Sequence, residues 1–534
     1  MKKFVIMACM MACASTLYSQ DKPDPLKVYI LAGQSNMTGI VSKHTLEHIK
    51  MFPDTAKEFA DLFDEDGNPV TLDDVYVSQW KGKDGGKLAP RFGGGKGTRF
   101  GPDYAFGVYM HKKLKEPFLI IKTSQGGKDI NYHFRPPSAG TWVPPAGHPD
   151  LIKEEPVKLA LPDKIDLPAD YLPGEDLVPR RPGRIGKFMG MRPMRGVAIG
   201  EVNGVYPIYI TASPEKQFPG NPFQKGDLLL GVDGTGFREE PVYHWRDAFW
   251  GSRTVDGDWM VTVTRWRKGK IETFDFDIAQ TLEGGRKSLP EHRVELKKAA
   301  VEKDKQTGGY YRDMIKHVKM VLSDAGKYHP AYDPEAGYEI AGFVWFQGYN
   351  DLVNSSVYPN RDKPGGYEQY TWLLEHFIRD VRKDFNVPDM PFVVGVLGVG
   401  GIDDPPTSNL GYFQQAQAAV AEKPEFRETV ANVHAGKYWD HDLAALDQKS
   451  REVRNKMSEL KYKDGLEGDE LKKAYAEYRA RHITPQEEEI LKKAISNQGY
   501  HYYGSGKIMA GIGKGFAEAM IALEKKKDQV PGNN

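Results

Sequence analysis

Five near-continuous apolar runs, each ending in glycine or small polar residues, predict buried β-strands. They are KVYILAG (27–33), FLIIKTS (118–124), IAGFVWF (340–346), FVVGVLG (392–398) and TVANVHA (429–435). Amphipathic patterns typical of α-helices stand between and after them, at 104–115, 310–328, 370–385 and 505–526. Because buried strands alternate with such helices, the pattern predicts a doubly wound α/β fold with a parallel sheet covered on both faces. Sites in such sheets gather at the carboxyl ends of the strands.

Two segments between these elements have a different pattern. Proline recurs through residues 151–184, which predicts a Pro-rich linker. Residues 185–282 predict a small β-rich domain, with strand patterns GVAIGEV (196–202), VYPIYIT (205–211), DLLLGVDG (227–234) and WMVTVTRWRKGKIETFDFDI (259–278).

Parts of this β-rich domain resemble PDZ domains. PFQKGDLLLGVDG (222–234) is similar to a PDZ strand and turn, and VTVTRWRKGK (261–270) to the closing PDZ strand. The nearest candidate for a carboxylate-binding loop is GKFMGMRP (186–193). The resemblance implies peptide binding by strand addition, and therefore a peptide or protein partner.

A third segment, residues 437–495, is highly charged and helical. Thr484 followed by Pro485 predicts the N-cap and first residue of one of its helices. The composition favours a solvated helical hairpin. The alternative is a cap over the functional site, because this insertion ends just before His501.

Length and charge limit the classes of function. A chain of 534 residues is too long for one ordinary core and predicts two or three domains. Lys+Arg and Asp+Glu number 73 each, so the sequence indicates no nucleic-acid surface and no polybasic membrane contact. The N-terminal apolar run is too short to span a bilayer comfortably, so we expect no integral membrane segment.

The first residues have the composition of a secretory signal. Lys2 and Lys3 precede the apolar run FVIMACMMACASTLY, and small or polar residues follow it. We therefore expect residues 1–20 to be a signal peptide and the protein to be secreted or periplasmic. A lipoprotein lipidated at Cys13 is the alternative, which the preceding residues fit poorly. Both cysteines lie in this segment, so the mature protein is expected to have no thiol nucleophile or disulfide.

Four clusters of small and polar residues predict acyl-transfer chemistry. They are GQSN with Ser35, SQGGKDIN (124–131) with Gly127, WFQGYND (345–351) with Asn350, and NQGYHYYGSGK (497–507) with His501. A serine hydroxyl becomes an effective nucleophile when an imidazole accepts its proton, which suits Ser35 and His501. The oxyanion of the tetrahedral intermediate needs fixed donors. The backbone N–H groups of Ser35 and Gly127 and the side-chain amide of Asn350 are the candidates.

These clusters resemble the motifs of the SGNH hydrolases, and more closely those of sialate O-acetylesterase-like carbohydrate esterases. The nucleophile block GQSNM-x-G stands intact at 33–39, a K-x-x-x-GG block at 122–127, and a W-x-QG-x-x-D block at 345–351. The resemblance implies a flavodoxin-like sheet of SGNH type, built from residues 26–150, 296–436 and 496–526. It implies no cofactor or metal, and makes Gln34, Asn36, Gln347 and Tyr349 candidate substrate contacts.

The chain departs from the family pattern at two positions. Sialate-type esterases usually have Glu where this chain has Asn350, which matches the general G-x-N-D form and implies an amide donor. The family commonly ends in D-x-x-H, where the Asp orients the histidine, but the corresponding residue here is Gln498. Either an amide or a carbonyl orients His501, or a carboxylate arrives from elsewhere. The candidates for that carboxylate are Asp351, Asp440 and Asp442.

The sequence predicts a secreted serine esterase that removes O-acetyl groups from a carbohydrate. The sugar specificity comes from the family resemblance alone. One alternative is an esterase that acts on other acyl esters. The other is a catalytically degenerate binding protein that holds a partner through the PDZ-like domain. The segment DHD at 440–442 predicts a helix start in preference to a metal site.

Overall fold

The computed structural model describes residues 23–80, 85–95, 97–142, 159–168, 195–212, 222–238, 245, 260–277, 305–355, 357–462 and 464–529. The predicted signal peptide at 1–20 and the candidate loop at 186–193 lie outside the described residues. So does most of the predicted linker at 151–184. Localisation therefore stays a prediction.

A parallel-rich sheet of seven strands forms the centre of the α/β fold. The described strands, numbered along the chain, are β1 (Leu26–Gly33), β2 (Val41–Ser42), β3 (Leu72–Gln79), β4 (Gly85–Leu88), β5 (Arg99–Phe100), β6 (Phe118–Ser124), β7 (Arg195–Ala198), β8 (Ile208–Ala212), β9 (Leu228–Val232), β10 (Thr235–Gly236), β11 (Met260–Arg267), β12 (Lys270–Asp277), β13 (Tyr338–Phe346), β14 (Phe392–Val396) and β15 (Val430–His434). The main sheet has the order β15-β14-β13-β1-β6-β3-β4. Only β4 is antiparallel to its neighbour. The five predicted strands and the mixed α/β class are confirmed.

Helices cover both faces of this sheet. The described α-helices are α1 (Ser35–Thr38), α2 (Glu47–Lys50), α3 (Pro53–Glu58), α4 (Asp103–Leu114), α5 (Gly309–Leu322), α6 (Ala325–Tyr328), α7 (Tyr349–Leu352), α8 (Glu368–Phe385), α9 (Asn409–Ala418), α10 (His441–Tyr462), α11 (Gly468–His482), α12 (Pro485–Ala494) and α13 (Gly506–Gln529). Trp345 packs on Phe377 of α8, with ring centroids 4.3 Å apart, whereas its neighbour Phe346 packs on Phe516 of α13. Because successive strand side chains point to opposite faces, α8 and α13 lie on opposite sides of the sheet.

The strand order brings three chain segments to one edge. Strands β3 and β6 lie on one side of β1, and β13, β14 and β15 lie on the other. In the register, Gly33 stands opposite both Ser124 at the end of β6 and Phe346 at the end of β13. The residues that follow these three strands therefore meet at the carboxyl ends of the strands. This is the topological switch point, where the strand order reverses and where such folds place their sites.

Two local expectations differ from the structure. The helix predicted over 310–328 is two helices, α5 and α6, because Asp324 leaves helical geometry (φ −144°, ψ 51°). The pattern also did not predict β3, in whose segment LDDVYVSQ an exposed and a half-buried aspartate follow the first residue. Pairing with β6 makes it a strand, with Val75 and Val77 in the core.

A second sheet lies within the predicted β-rich domain. It has the order β12-β11-β9-β8-β7, with β10 paired to β9, and its described pairs are antiparallel. Part of the predicted linker belongs to it: Ile165 shares a core with Leu228 and Trp266, and Gly236 donates a backbone hydrogen bond to Leu159. The resemblance of this domain to PDZ domains stays a prediction.

The charged insertion is helical, as predicted. It contains α10, α11 and α12, and α11 has no buried residues, as in a solvated hairpin. Thr484 caps α12 with a reciprocal pair of hydrogen bonds to Glu487, and Pro485 is the first helical residue. The N-cap prediction is therefore confirmed. A cap role over the site stays a prediction.

Candidate active site

The nucleophile block is a tight turn between β1 and α1. Gly33 has φ +150°, and a Cβ there would lie 2.1 Å from the Phe346 carbonyl oxygen. Gly39 has φ +84°, and a Cβ there would lie 2.3 Å from the Gly101 nitrogen. Both positions therefore require glycine. The chain turns within the five residues between them and leaves Ser35 half-buried at the carboxyl end of β1.

The structure brings Ser35 and His501 together from opposite ends of the chain. The Nε2 atom of His501 lies 3.0 Å from the Ser35 Oγ. This is hydrogen-bond distance, as proton transfer from serine to imidazole requires.

Asn497 orients the imidazole. Its Oδ1 lies 3.0 Å from His501 Nδ1 and also accepts the backbone N–H of Gln498 at 2.8 Å. A backbone N–H can only donate, so the second bond identifies the amide oxygen and not its nitrogen. His501 Nδ1 must then carry the hydrogen, which leaves the Nε2 lone pair directed at Ser35.

An amide, one of the expected alternatives, contacts His501 Nδ1, but it is that of Asn497 and not that of Gln498. Gln498 engages the turn through its backbone, where its carbonyl accepts from the N–H groups of His501 and Tyr503. Asp440 pairs with Lys507 at 2.8 Å and accepts the Leu443 N–H at 2.9 Å.

The two other candidate acids, Asp442 and Asp351, do not contact His501 either. Asp442 is exposed in the first turn of α10. Asp351 is buried and accepts hydrogen bonds from Gln347, Ile130 and Tyr358. Among the described residues, the partner of His501 Nδ1 is an amide.

An unusual backbone holds His501 in place. Tyr502, Tyr503 and Gly504 have consecutive positive φ values of 51°, 59° and 58°. Left-handed conformations of bulky residues cost free energy and persist only where other contacts fix them. Here the Tyr503 carbonyl accepts the N–H groups of Ser496 and Asn497 at 2.8 Å each. Asn497 begins the segment 497–507 but was not a candidate, because this turn shifts the orienting position by one residue from the D-x-x-H spacing.

Burial lowers the pKa of His501 to about 4, and no carboxylate among the described residues lies against the ring to raise it. A general base must be neutral, so activity should fall only when pH falls through the His501 pKa. We expect kcat/KM on a soluble acetyl ester to be level from neutral pH to about pH 5 and to fall to half near pH 4. A pH–rate profile measures this. A half-point near pH 6.5, the ordinary histidine value, would contradict it.

A buried amide network connects the nucleophile turn to the end of β13. Gln34 Oε1 accepts the Gly348 N–H at 3.0 Å and the Gln347 side-chain amide at 3.2 Å. Gln34 Nε2 donates to Asn350 Oδ1 at 3.2 Å. The Asn350 oxygen is therefore an acceptor in this network, and its Nδ2 is the end that remains to donate, as an oxyanion donor requires. Gln34 and Gln347 are buried; Gln34 contacts Asn350 directly, and Gln347 contacts Gln34. Their expected contact with substrate stays a prediction.

Asp351 is the last member of this network and contacts Gln347. Its carboxylate accepts from Gln347 Nε2 at 2.6 Å, and burial together with the nearby Asp129 raises its pKa. Asp351 therefore holds Gln347, which in turn holds Gln34.

The remaining predicted residues lie around the same turn. A Cβ at Gly126 would lie 3.6 Å from Ser35 Cβ, and Gly127 beside it is exposed with φ +70°. Asn36 is buried, and its Oδ1 has no hydrogen-bond partner among the described residues. Tyr349 stacks on Tyr500, which adjoins His501. The catalytic and oxyanion roles of these residues stay predictions.

The lysine of the K-x-x-x-GG block has a structural role. Lys122 and Asp103 are fully buried, with Nζ 2.6 Å from Asp103 Oδ1 and 2.5 Å from the Phe92 carbonyl oxygen. Asp103 also accepts the Gly101 N–H at 3.0 Å, next to the turn that Gly39 closes.

Breaking this pair should destabilise the α/β domain. Lys122→Met leaves Asp103 buried without its cation, a change that typically costs about 3–5 kcal/mol. Urea unfolding followed by tryptophan fluorescence measures the free energy of unfolding. The matched control is Lys87→Met, which breaks the exposed pair with Asp73 and should change stability little. Equal effects of the two variants would contradict the structural role.

One family model matches part of the chain. Residues 298–447 match the family model described as "SASA: Carbohydrate esterase, sialic acid-specific acetylesterase". This match supports carbohydrate esterase activity. The matched segment contains Gln347, Asn350 and Asp351, whereas Ser35 and His501 lie outside it.

Two solved structures show low similarity to the chain. One is a protein from Arabidopsis thaliana with 11% identity, which covers 77% of this chain and 86% of that chain at a TM-score of 0.30. The other is a novel carbohydrate acetylesterase from Xanthomonas citri with 9% identity, which covers 76% of this chain and 49% of that chain at 0.27. The search of curated proteins gave no match.

In the described ranges, no group of three His, Cys, Asp or Glu side chains is placed to hold a metal ion. None of the helices in those ranges is long and apolar enough to cross a membrane. The DHD segment is a helix start, because Asp440 accepts the N–H of Leu443 in the first turn of α10.

Proposed function

We propose that the protein is a serine esterase of SGNH type that removes O-acetyl groups from a carbohydrate. The observation that carries this proposal is the relay Ser35–His501–Asn497, with both contacts at 3.0 Å. The carbohydrate esterase match at 298–447 supports the substrate class.

The reaction follows from the atoms in contact. Ser35 Oγ attacks the acetyl carbonyl carbon, and its proton passes to His501 Nε2. The N–H groups of Ser35 and Gly127 and the amide of Asn350 hold the resulting oxyanion. The bond from the carbonyl carbon to the sugar oxygen then breaks, and His501 gives its proton to that oxygen. A water molecule then gives a proton to His501 Nε2 and attacks the acetyl carbonyl carbon of the acetyl-serine. The bond from that carbon to Ser35 Oγ breaks, His501 returns the proton to Oγ, and acetate leaves.

An amide in place of the usual carboxylate is compatible with turnover. The carboxylate of a triad both fixes the tautomer and stabilises the imidazolium that forms. Asn497 performs the first task through its oxygen and lacks the charge for the second. We therefore expect an active enzyme whose base has a low pKa. This favours hydrolysis over the alternative of a degenerate binding protein.

Acetate release from a panel of acetylated polysaccharides tests the proposal. Release from at least one glycan, together with labelling of Ser35 by a serine-directed phosphonate, is the expected result. Turnover of p-nitrophenyl acetate without release from any glycan would favour an esterase for other acyl esters. Absence of labelling and of turnover would favour the binding-protein alternative.

Removal of the Asn350 amide should reduce turnover and leave substrate binding intact. We expect Asn350→Ala to lower kcat by about 10²-fold with little change in KM, because an oxyanion donor acts mainly in the transition state. Steady-state kinetics on the best glycan of the panel measures both parameters. Asn68→Ala, at an exposed asparagine, is the control. A rise in KM at constant kcat would assign Asn350 to substrate binding.

A further inference from the structure

An aromatic pair lies directly against the candidate general base. The ring of Tyr500 is tilted on that of His501, with centroids 4.4 Å apart. The ring of Tyr349 stacks on Tyr500, with centroids 5.4 Å apart and an interplanar angle of 29°. Tyr349 also begins α7, and so immediately precedes Asn350. The pair thus spans from the base to the candidate oxyanion donor.

Tyr500 is exposed where most large apolar side chains of this chain are not. Its exposed fraction is 41%, and the other exposed large apolar residues among the described ones are Met260, Met320, Tyr338, Val353, Ile402 and Met457. Of these seven, Tyr500 is the one whose ring contacts a residue of the Ser35–His501 relay. The fixed backbone around His501 holds this ring in place, since His501 donates its N–H to the Gln498 carbonyl.

The proton-transfer step indicates which part of the substrate lies next to the Tyr500 ring. His501 Nε2 returns its proton to the leaving oxygen, so that oxygen must come within about 3 Å of Nε2. The group that carries the oxygen then lies beside the imidazole, where Tyr500 is exposed. A tyrosine ring has an apolar face and, at its edge, a hydroxyl that can form hydrogen bonds. A pyranose has the matching surface, with C–H groups on its face and hydroxyls around its rim.

We propose that Tyr500, stacked on Tyr349, binds the sugar ring that departs with the leaving oxygen. The proposal rests on the esterase function above and names the group that gives it sugar specificity. The aromatic surface acts on the leaving group only, so small alcohols should gain nothing from it.

A comparison of two substrates tests this assignment. With the best acetylated glycan of the panel, Tyr500→Ala should lower kcat/KM about 10-fold, mainly through KM, as expected for lost aromatic packing. With methyl acetate, whose leaving group is methanol, kcat/KM should stay within about twofold. Tyr500→Phe should retain most activity on both substrates. The matched control is Tyr338→Ala, because Tyr338 is also 41% exposed but lies at the amino end of β13, away from the site.

Binding provides a readout that is independent of turnover. In the Ser35→Ala background, Tyr500→Ala should weaken binding of the same glycan about 10-fold by calorimetry. Equal losses on glycan and methyl acetate would overturn the proposal, since Tyr500 would then only position His501. No loss on the glycan would overturn it as well. Either result leaves the esterase function standing, whereas that function fails if Ser35→Ala retains turnover.

Discussion

Replacing Ser35 by alanine is expected to lower kcat/KM for acetyl ester hydrolysis by about 10⁴-fold or more. The variant removes the oxygen that attacks the carbonyl carbon. His501 Nε2, which lies 3.0 Å from that oxygen in the unchanged protein, then has no serine proton to accept. The oxyanion donors and the substrate surface remain, so the glycan should still bind. Acetate release from the best glycan measures the loss, and calorimetry measures retained binding.

Another serine–histidine contact of the chain serves as the control. Ser42 Oγ lies 2.9 Å from His44 Nδ1, but this pair is at the surface. Ser42→Ala also removes a serine hydroxyl that contacts a histidine, and it should leave turnover unchanged. If Ser35→Ala kept its activity, the proposed mechanism would be wrong. If Ser42→Ala lost activity equally, the assignment of the nucleophile would be in doubt.

Replacing Asn497 by leucine should lower kcat on the order of 10³-fold. Leucine has a similar volume but no acceptor, so His501 is free to place its hydrogen on Nε2, the tautomer that cannot take a proton from serine. The substrate surface is untouched, and KM should change little. Steady-state kinetics on the best glycan checks this. A change below about threefold would mean that the contact to Asn497 does not matter for the reaction.

Asn497→Asp tests the same contact in the opposite direction. A carboxylate beside the imidazole stabilises its charged form and should raise the pKa of His501. The acidic limb of the pH–rate profile should then move upward by at least about one pH unit from its half-point near pH 4. Since the imidazolium is stabilised in the transition state, kcat at neutral pH should hold or increase. An unmoved acidic limb would show that residue 497 does not contact the titrating base.

The apolar pattern predicted strands such as β1, β6 and β14 well because they are buried on both faces. In β1, every side chain from Val28 to Ala32 is buried, which leaves no polar positions and makes the run conspicuous. The nucleophile turn could also be predicted from the sequence. Gly33 and Gly39 are required there because neighbouring backbone atoms leave no room for a Cβ. The pattern did not predict β3, because five of its eight positions are exposed or half-buried and its pairing partner β6 is distant in sequence.

Sequence alone thus determined the α/β class, the position of the nucleophile turn and the four segments that carry the candidate chemistry. These depend on burial and local backbone geometry, which individual residues encode. Only the tertiary structure decided that Asn497 holds His501, that Asp351 supports Gln347, and that Tyr500 adjoins Tyr349. Such contacts join residues whose approach depends on how the turn at 499–504 and the strand ends meet in space. Chain spacing does not encode that geometry.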